Sequence, residues 1–195
     1  MAKLELFYQP LKPWVINQGF GENRVCYKPG TRDVILCDGL NPPMGYISLY
    51  GSNGHAGIDA VALGGQEVYC SQRGIVDFID TNSRSGLDVR IVSEIGGEKY
   101  HHIYEHLLGY MHSVGNRIET GQLVGWCDNT GWSSGNHLHF QVEKWIDGQW
   151  IPVDPAPLMA NKFAKDILAI NNKIKFLFEQ IAMLADNIAN FLRKR

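Results

Sequence analysis

Gly74-Ile-Val-Asp-Phe-Ile79 and Leu87-Asp-Val-Arg-Ile-Val92 partly alternate apolar with polar residues, and Asn82-Ser-Arg-Ser-Gly86 separates them. Strand side chains point to opposite faces in turn, so such runs between turn residues read as antiparallel strands. Glu67–Cys70 and Lys99–Tyr104 extend the pattern on either side. Most of the 21 glycines fall between residues 19 and 135, which favours a turn-rich β domain over a helical one. The expected fold class is mainly β, built on an antiparallel β-sheet.

The chain has 195 residues, enough for one domain of about 150 with an appendage. Hydrophobic residues make up 45% and charged residues 19%, ordinary for a globular protein. A formal net charge of -2 lacks the basic excess of a nucleic-acid binder, so no nucleic-acid partner is expected. Met1–Trp14 carries Lys3, Glu5, Pro10, Lys12 and Pro13 and no apolar core, so no signal peptide is read there and synthesis in the cytoplasm is expected. No stretch approaches the roughly 18 uncharged apolar residues of a transmembrane segment. Cys26, Cys37, Cys70 and Cys127 form no C-x-x-C pair. They are expected to be thiols, a Cys26–Cys37 bridge being the exception in an oxidising space.

Composition changes near Pro155 and Pro157. Beyond them Phe163–Arg195 contains no Gly or Pro and reads as one long C-terminal amphipathic α-helix. Ile167, Ile174, Ile181 and Ile188 take the a positions of a heptad, and Phe163, Ile170, Leu177, Leu184 and Phe191 the d positions. Ile at a with mostly Leu-like residues at d suits a parallel pair of helices. Ala164, Asn171, Phe178, Ala185 and Leu192 at e widen the stripe, which also suits a higher homo-oligomer, a partner protein or packing on the preceding domain. The expected organisation is a lead-in over 1–17, a domain over 18–158 and a heptad helix over 159–195. Within the domain, 22–53 carries Pro29-Gly30, Asp38-Gly39 and Pro42-Pro43 and reads as a long loop, either a rim of the site or a surface insertion.

Four histidines and an aspartate carry the chemistry. They are His55 and Asp59 in Gly54-His-Ala-Gly-Ile-Asp59, His106 in Tyr104-Glu-His-Leu107, and His137 and His139 in Gly135-Asn-His-Leu-His-Phe140. Imidazole and carboxylate are ligands that zinc accepts, and three of them leave a tetrahedral position for water. Residue types alone point to a metallohydrolase. On a strand, His137 and His139 share one face. If Lys99–His106 is a strand, His102 and Tyr104 share the face of His106 and could line the same cleft, although a structural role for His102 is the stronger expectation.

Four blocks in order, Gln18-Gly-Phe-Gly21, Gly54–Asp59, Tyr104–Leu107 and Gly121–Phe140, followed by Val153-Asp-Pro155, make Gln18–Leu158 resemble the lysostaphin-type zinc metalloendopeptidases, which cleave peptidoglycan. The resemblance implies a zinc metallopeptidase domain over 18–158 that hydrolyses stem-peptide or cross-bridge bonds with a metal-activated water. It implies one Zn2+ per chain on His55, Asp59 and His139, with His106 and His137 as the catalytic pair beside the water. It also implies loop and strand, not helix, for His55-x-x-x-Asp59. His101 and His112 read as structural, Trp132 as a packing residue or a groove wall, and Asn129–Asn136 as a shaped loop. The 22–53 segment is longer than the usual link between the first two blocks. A phage lysis or virion-associated enzyme acting on the wall would reconcile the absent signal with such a substrate. The competing reading is a non-catalytic binding or structural oligomeric module, such as a phage tail component, that keeps the fold.

Overall fold

The computed structural model describes residues 7–27, 30–31, 34–36 and 53–160. Among the described residues the strands are, in chain order, β1 (Phe7–Tyr8), β2 (Ile16–Gln18), β3 (Val25–Tyr27), β4 (Val34–Leu36), β5 (Ile58–Val61), β6 (Glu67–Tyr69), β7 (Gly74–Asn82), β8 (Gly86–Ile95), β9 (Glu98–Tyr110), β10 (Arg117–Ile118), β11 (Leu123–Cys127), β12 (His137–Ile146), β13 (Gln149–Val153) and β14 (Met159–Ala160). One ten-stranded sheet runs β10-β7-β8-β9-β12-β5-β2, with β11 pairing β9 and β6, and β13 pairing β12. Its pairings are antiparallel throughout, as the alternating sequence predicts.

The long central strands supply the core. Val89 and Ile91 of β8, Tyr104 and Leu107 of β9, and Leu138, Phe140 and Val142 of β12 are all buried in one cluster with Val68 and Val124. Burying a side chain of this size contributes roughly 1.5–3 kcal/mol. The sheet that carries the site is therefore anchored by its other face.

β9 breaks its own alternation. Val89 pairs with Tyr104 and Leu87 with Leu107, so Glu105 and His106 together oppose Asp88. Two residues against one is a β-bulge, which re-aims the following side chains. His106 takes a φ of 63°, a left-handed backbone that a non-glycine residue adopts only when its surroundings hold it there. Its N–H donates to Ser85 O at 2.9 Å and its carbonyl accepts from Asp128 N at 3.0 Å. The expectation that His102 and Tyr104 share the face of His106 is thereby corrected. Both point into the core, fully buried, while Glu105 and His106 line the opposite side.

Two further expectations change, and a third lies mostly outside the described residues. The 22–53 segment is not wholly irregular, because β3 and β4 pair within it as a two-stranded sheet. Cys26 is disulfide-bonded, so the cysteines are not four thiols, whereas Cys70 and Cys127 are free and buried. The C-terminal amphipathic helix falls outside the described residues from 161 onward, and Met159–Ala160, at the head of its expected span, form a strand. The oligomer or partner contact expected of that helix lies outside them too.

Candidate metal centre

His55 precedes β5 in a loop, and Asp59 is the second residue of that strand. The loop is clamped to the Gln18–Gly21 block. Gly21 N donates to His55 O, and His55 N donates to Glu22 O, both at 2.8 Å. Gly54 has a φ of 73°, and a Cβ there would stand 2.6 Å from Gly21 O. At Gly57 a Cβ would stand 2.6 Å from Phe140 O and 2.8 Å from His139 Nε2. Both glycines are thus required by close approach, the second one by a ring of the site itself.

Register does the rest. His139 of β12 stands opposite Asp59 of β5, and directly opposed residues in an antiparallel pair share a face. His137, two residues earlier, shares it too. His139 Nδ1 lies 2.8 Å from Asp59 Oδ1, His55 Nε2 lies 3.0 Å from His139 Nδ1, and His55 Nε2 lies 3.2 Å from Asp59 Oδ1. All three residues are buried. Donors bound tetrahedrally to zinc at about 2.0–2.1 Å stand about 3.3 Å apart. The triangle is close to that spacing, so His55, Asp59 and His139 could hold a metal ion.

The ring nitrogens that face away from the triangle have fixed partners of their own. Carbonyl oxygens only accept, so His55 Nδ1–H donates to Gly19 O at 3.0 Å. His106 Nδ1–H donates to Thr130 O and His137 Nδ1–H to Gly135 O, both at 2.8 Å. Each of these rings keeps its Nε2 lone pair. His139 is turned the other way. Its Nε2–H faces Gln141 Oε1 at 3.4 Å, and Gln141 Nε2 donates to Glu143 Oε1 at 2.7 Å, leaving Nδ1 for a metal. Such outer contacts fix tautomer and ring orientation.

Burial alone would raise the Asp59 carboxyl, but hydrogen bonds to His139 and His55 hold it well below the usual carboxylate range. Burial would lower His139, yet the hydrogen bond to Asp59 and the charges of Glu105 and Asp59 bring it up to about 9. Burial, then the charges of His137 and His139, push His106 down to about 4. His106 is therefore a neutral acceptor at pH 7. Its ring lies 4.6 Å from that of His137 and 6.1 Å from that of His139. His137 Nε2 is 3.7 Å from Asp59 Oδ1.

All five residues singled out from the sequence therefore converge in one open cleft of about 770 Å³. Trp132 lines it and is 57% exposed, so it forms a wall and is not a packing residue. The other histidines are elsewhere. His102 is sealed in the core, His101 stacks on Trp150 at 3.6 Å and bonds Asp77, and His112 bonds Leu123 O. Gln141 and Glu105 were not foreseen. Gln141 could have been found as the residue two beyond His139 on the same face, but Glu105 had no signal before the register was known.

Known proteins resemble this chain. Peptidase family M23 matches residues 53–155, just over half of the chain. Glycyl-glycine endopeptidase ALE-1 of Staphylococcus capitis is 36% identical over 96 residues, which are 49% of this chain and 26% of that protein. DD-carboxypeptidase/endopeptidase Mpg of Neisseria meningitidis serogroup B is 35% identical over 101 residues, 52% of this chain and 22% of that protein. The crystal structure of a zinc containing peptidase from Vibrio cholerae superposes with a TM-score of 0.57 at 25% identity, covering 81% of this chain and 41% of that one. The chain spans about a quarter of the length of the curated relatives it matches. With the sheet, the convergent His and Asp residues and the matched span in agreement, the chain belongs to Peptidase family M23 and is homologous to lysostaphin.

Proposed function

We propose that the protein is a zinc-dependent endopeptidase that hydrolyses peptide bonds of peptidoglycan. The observation that carries this reading is the triangle of His55 Nε2, Asp59 Oδ1 and His139 Nδ1, flanked by two histidines that keep Nε2 lone pairs. M23 peptidases are zinc metallopeptidases, and His55, Asp59 and His139 fit the ion by donor type, spacing and tautomer. Bound there, zinc would supply Lewis acidity toward the scissile carbonyl and toward water.

The chain's own residues do the rest. His106 and His137 are each held by an Nδ1–H bond to a backbone carbonyl, so neither ring is free to rotate. Their Nε2 lone pairs accept from the attacking water, and the one that takes its proton becomes an Nε2–H donor and passes that proton to the leaving amine. General acid–base help of this kind is worth about 10²–10⁴ in rate. The cleft is open, as a polymeric substrate requires.

The test is digestion of purified sacculi of several chemotypes, with new amino and carboxyl termini identified by mass spectrometry. Zinc-loaded protein should release new peptide termini, chelation should stop it, and added zinc should restore it. Intact sacculi after incubation with fully zinc-loaded protein would leave the non-catalytic module as the reading.

A further inference from the structure

Four residues form one row across four adjacent strands. Glu105 of β9 stands opposite His139 of β12, His139 stands opposite Asp59 of β5, and Asp59 stands opposite Gln18 of β2. Opposed residues share a face, so all four point to the cleft, and all four line it. The two ligand candidates occupy the centre of the row, with one polar side chain at each end.

Neither end group is hydrogen-bonded among the described residues, although the charge of Glu105 acts on His139. Gln18 Nε2 is buried and lacks a hydrogen-bond partner among the described residues. A buried polar atom left without a partner needs an explanation, because leaving it unpaired costs about 1–3 kcal/mol. Glu105 is half-buried and makes no hydrogen bond or ion pair among the described residues. Arg90, in the same cleft, is already held by Asp88 through two bonds of 3.1 and 2.9 Å. The Glu105 end of the row thus offers a carboxylate to the cleft, whereas the Gln18 Nε2 atom is closed off from solvent.

Neighbouring strands lie about 4.8 Å apart, so three steps span about 14 Å, which is roughly four residues of extended peptide at about 3.3 Å each. A peptide crossing the sheet along this row would place its scissile bond over His139 and Asp59 and reach both ends.

We infer that Glu105 binds a free ammonium group of the substrate, about two residues from the scissile bond. This rests on the peptidase reading above and narrows it to amine-bearing peptides. The ammonium has two chemical sources in a wall peptide, the side chain of an uncrosslinked diamino acid or the amino terminus of a glycine branch. Both ask the same of the protein, an anion in a partly desolvated wall.

The experiment uses the full-length zinc-loaded protein, Glu105→Gln and Glu105→Asp, with zinc content and circular dichroism confirming each as folded. Two peptide pairs are titrated, one with a diamino-acid side chain and one with an oligoglycine amino terminus, each free and acetylated. Binding is read by tryptophan fluorescence, and product termini by mass spectrometry. For at least one pair, wild type should bind the free amine about tenfold more tightly than the acetylated form, the scale of a partly buried ion pair. That ratio should fall to about one in Glu105→Gln and survive in Glu105→Asp. A ratio near one for both pairs in wild type overturns the inference, and so does a ratio that Glu105→Gln leaves unchanged. If Glu105 serves only to offset the metal's charge, Glu105→Gln weakens zinc binding and leaves the ratio as it was, which also overturns it. Absence of product termini from wild type would instead remove the peptidase reading, with the binding ratio still measurable.

Discussion

His139 Nδ1 lies 2.8 Å from Asp59 Oδ1 on the neighbouring strand, and in the metal-free site the proton between them belongs to the imidazole. With His139 raised to about 9, that nitrogen is protonated at neutral pH, whereas a metal needs its lone pair. Zinc binding at pH 7.5 should therefore release about one proton, and affinity should rise about tenfold per pH unit from about 7 to 9. Calorimetry in buffers of different ionisation enthalpy measures this directly. Zinc uptake with no proton release would show that His139 is not a ligand.

His106→Ala and His137→Ala should each keep stoichiometric zinc and lose hydrolysis by about 10²–10⁴. Their rings donate to Thr130 O and Gly135 O and share no atom with the ligand triangle. Metal analysis beside turnover on sacculi separates the two effects. A variant that loses its zinc, or one that keeps near wild-type turnover, removes that histidine from the proposed role.

Gln141→Leu keeps the ligands but deletes the acceptor facing His139 Nε2. Loss of such an outer partner lowers metal affinity by about 10–100-fold. Competition with a chromophoric chelator should show that drop with the fold intact. Unchanged affinity would mean that packing against Gly57 alone holds the ring.

A one-directional chain of hydrogen bonds runs through the core. Ser71 N–H donates to Tyr104 OH at 2.7 Å, Tyr104 OH to His102 Nδ1 at 2.9 Å, His102 Nε2–H to Ser93 Oγ at 2.8 Å, and Ser93 Oγ to Arg73 O at 2.7 Å. Burial, then the charge of His101, pushes His102 down to about 3, which keeps it neutral. Tyr104→Phe strands the Ser71 N–H and the His102 lone pair, and should cost about 1–3 kcal/mol in urea unfolding. A change within experimental error would mean that water replaces the hydroxyl.

The heptad of 163–195 predicts self-association or a docked partner, since nine apolar positions on one stripe form too large an exposed patch. Charged replacements at Ile174 and Ile181 should abolish assembly seen by light scattering, while a chain ending at Ala160 keeps its zinc. A wild-type monomer that binds nothing would leave the pattern without a role.

The strand-rich class was legible in the chain alone, because alternation and turn chemistry act over a few residues. Glu67–Cys70, Gly74–Ile79, Leu87–Val92 and Lys99–Tyr104 all lie in or almost wholly within observed strands. His55, Asp59, His106, His137 and His139 were legible too, since they stand in short blocks whose residue types suggest metal chemistry, and the fold brings all five to one cleft. Tertiary structure decided which way each side chain points. The bulge at Glu105 and His106 is a mismatch between two strands, and no single-strand period contains it, so strand alternation put His102 on the face of His106 when it lies in the core. The same holds for the row from Glu105 to Gln18. Those two residues are 87 positions apart in the chain, and only the register of β9, β12, β5 and β2 brings them to opposite ends of one site.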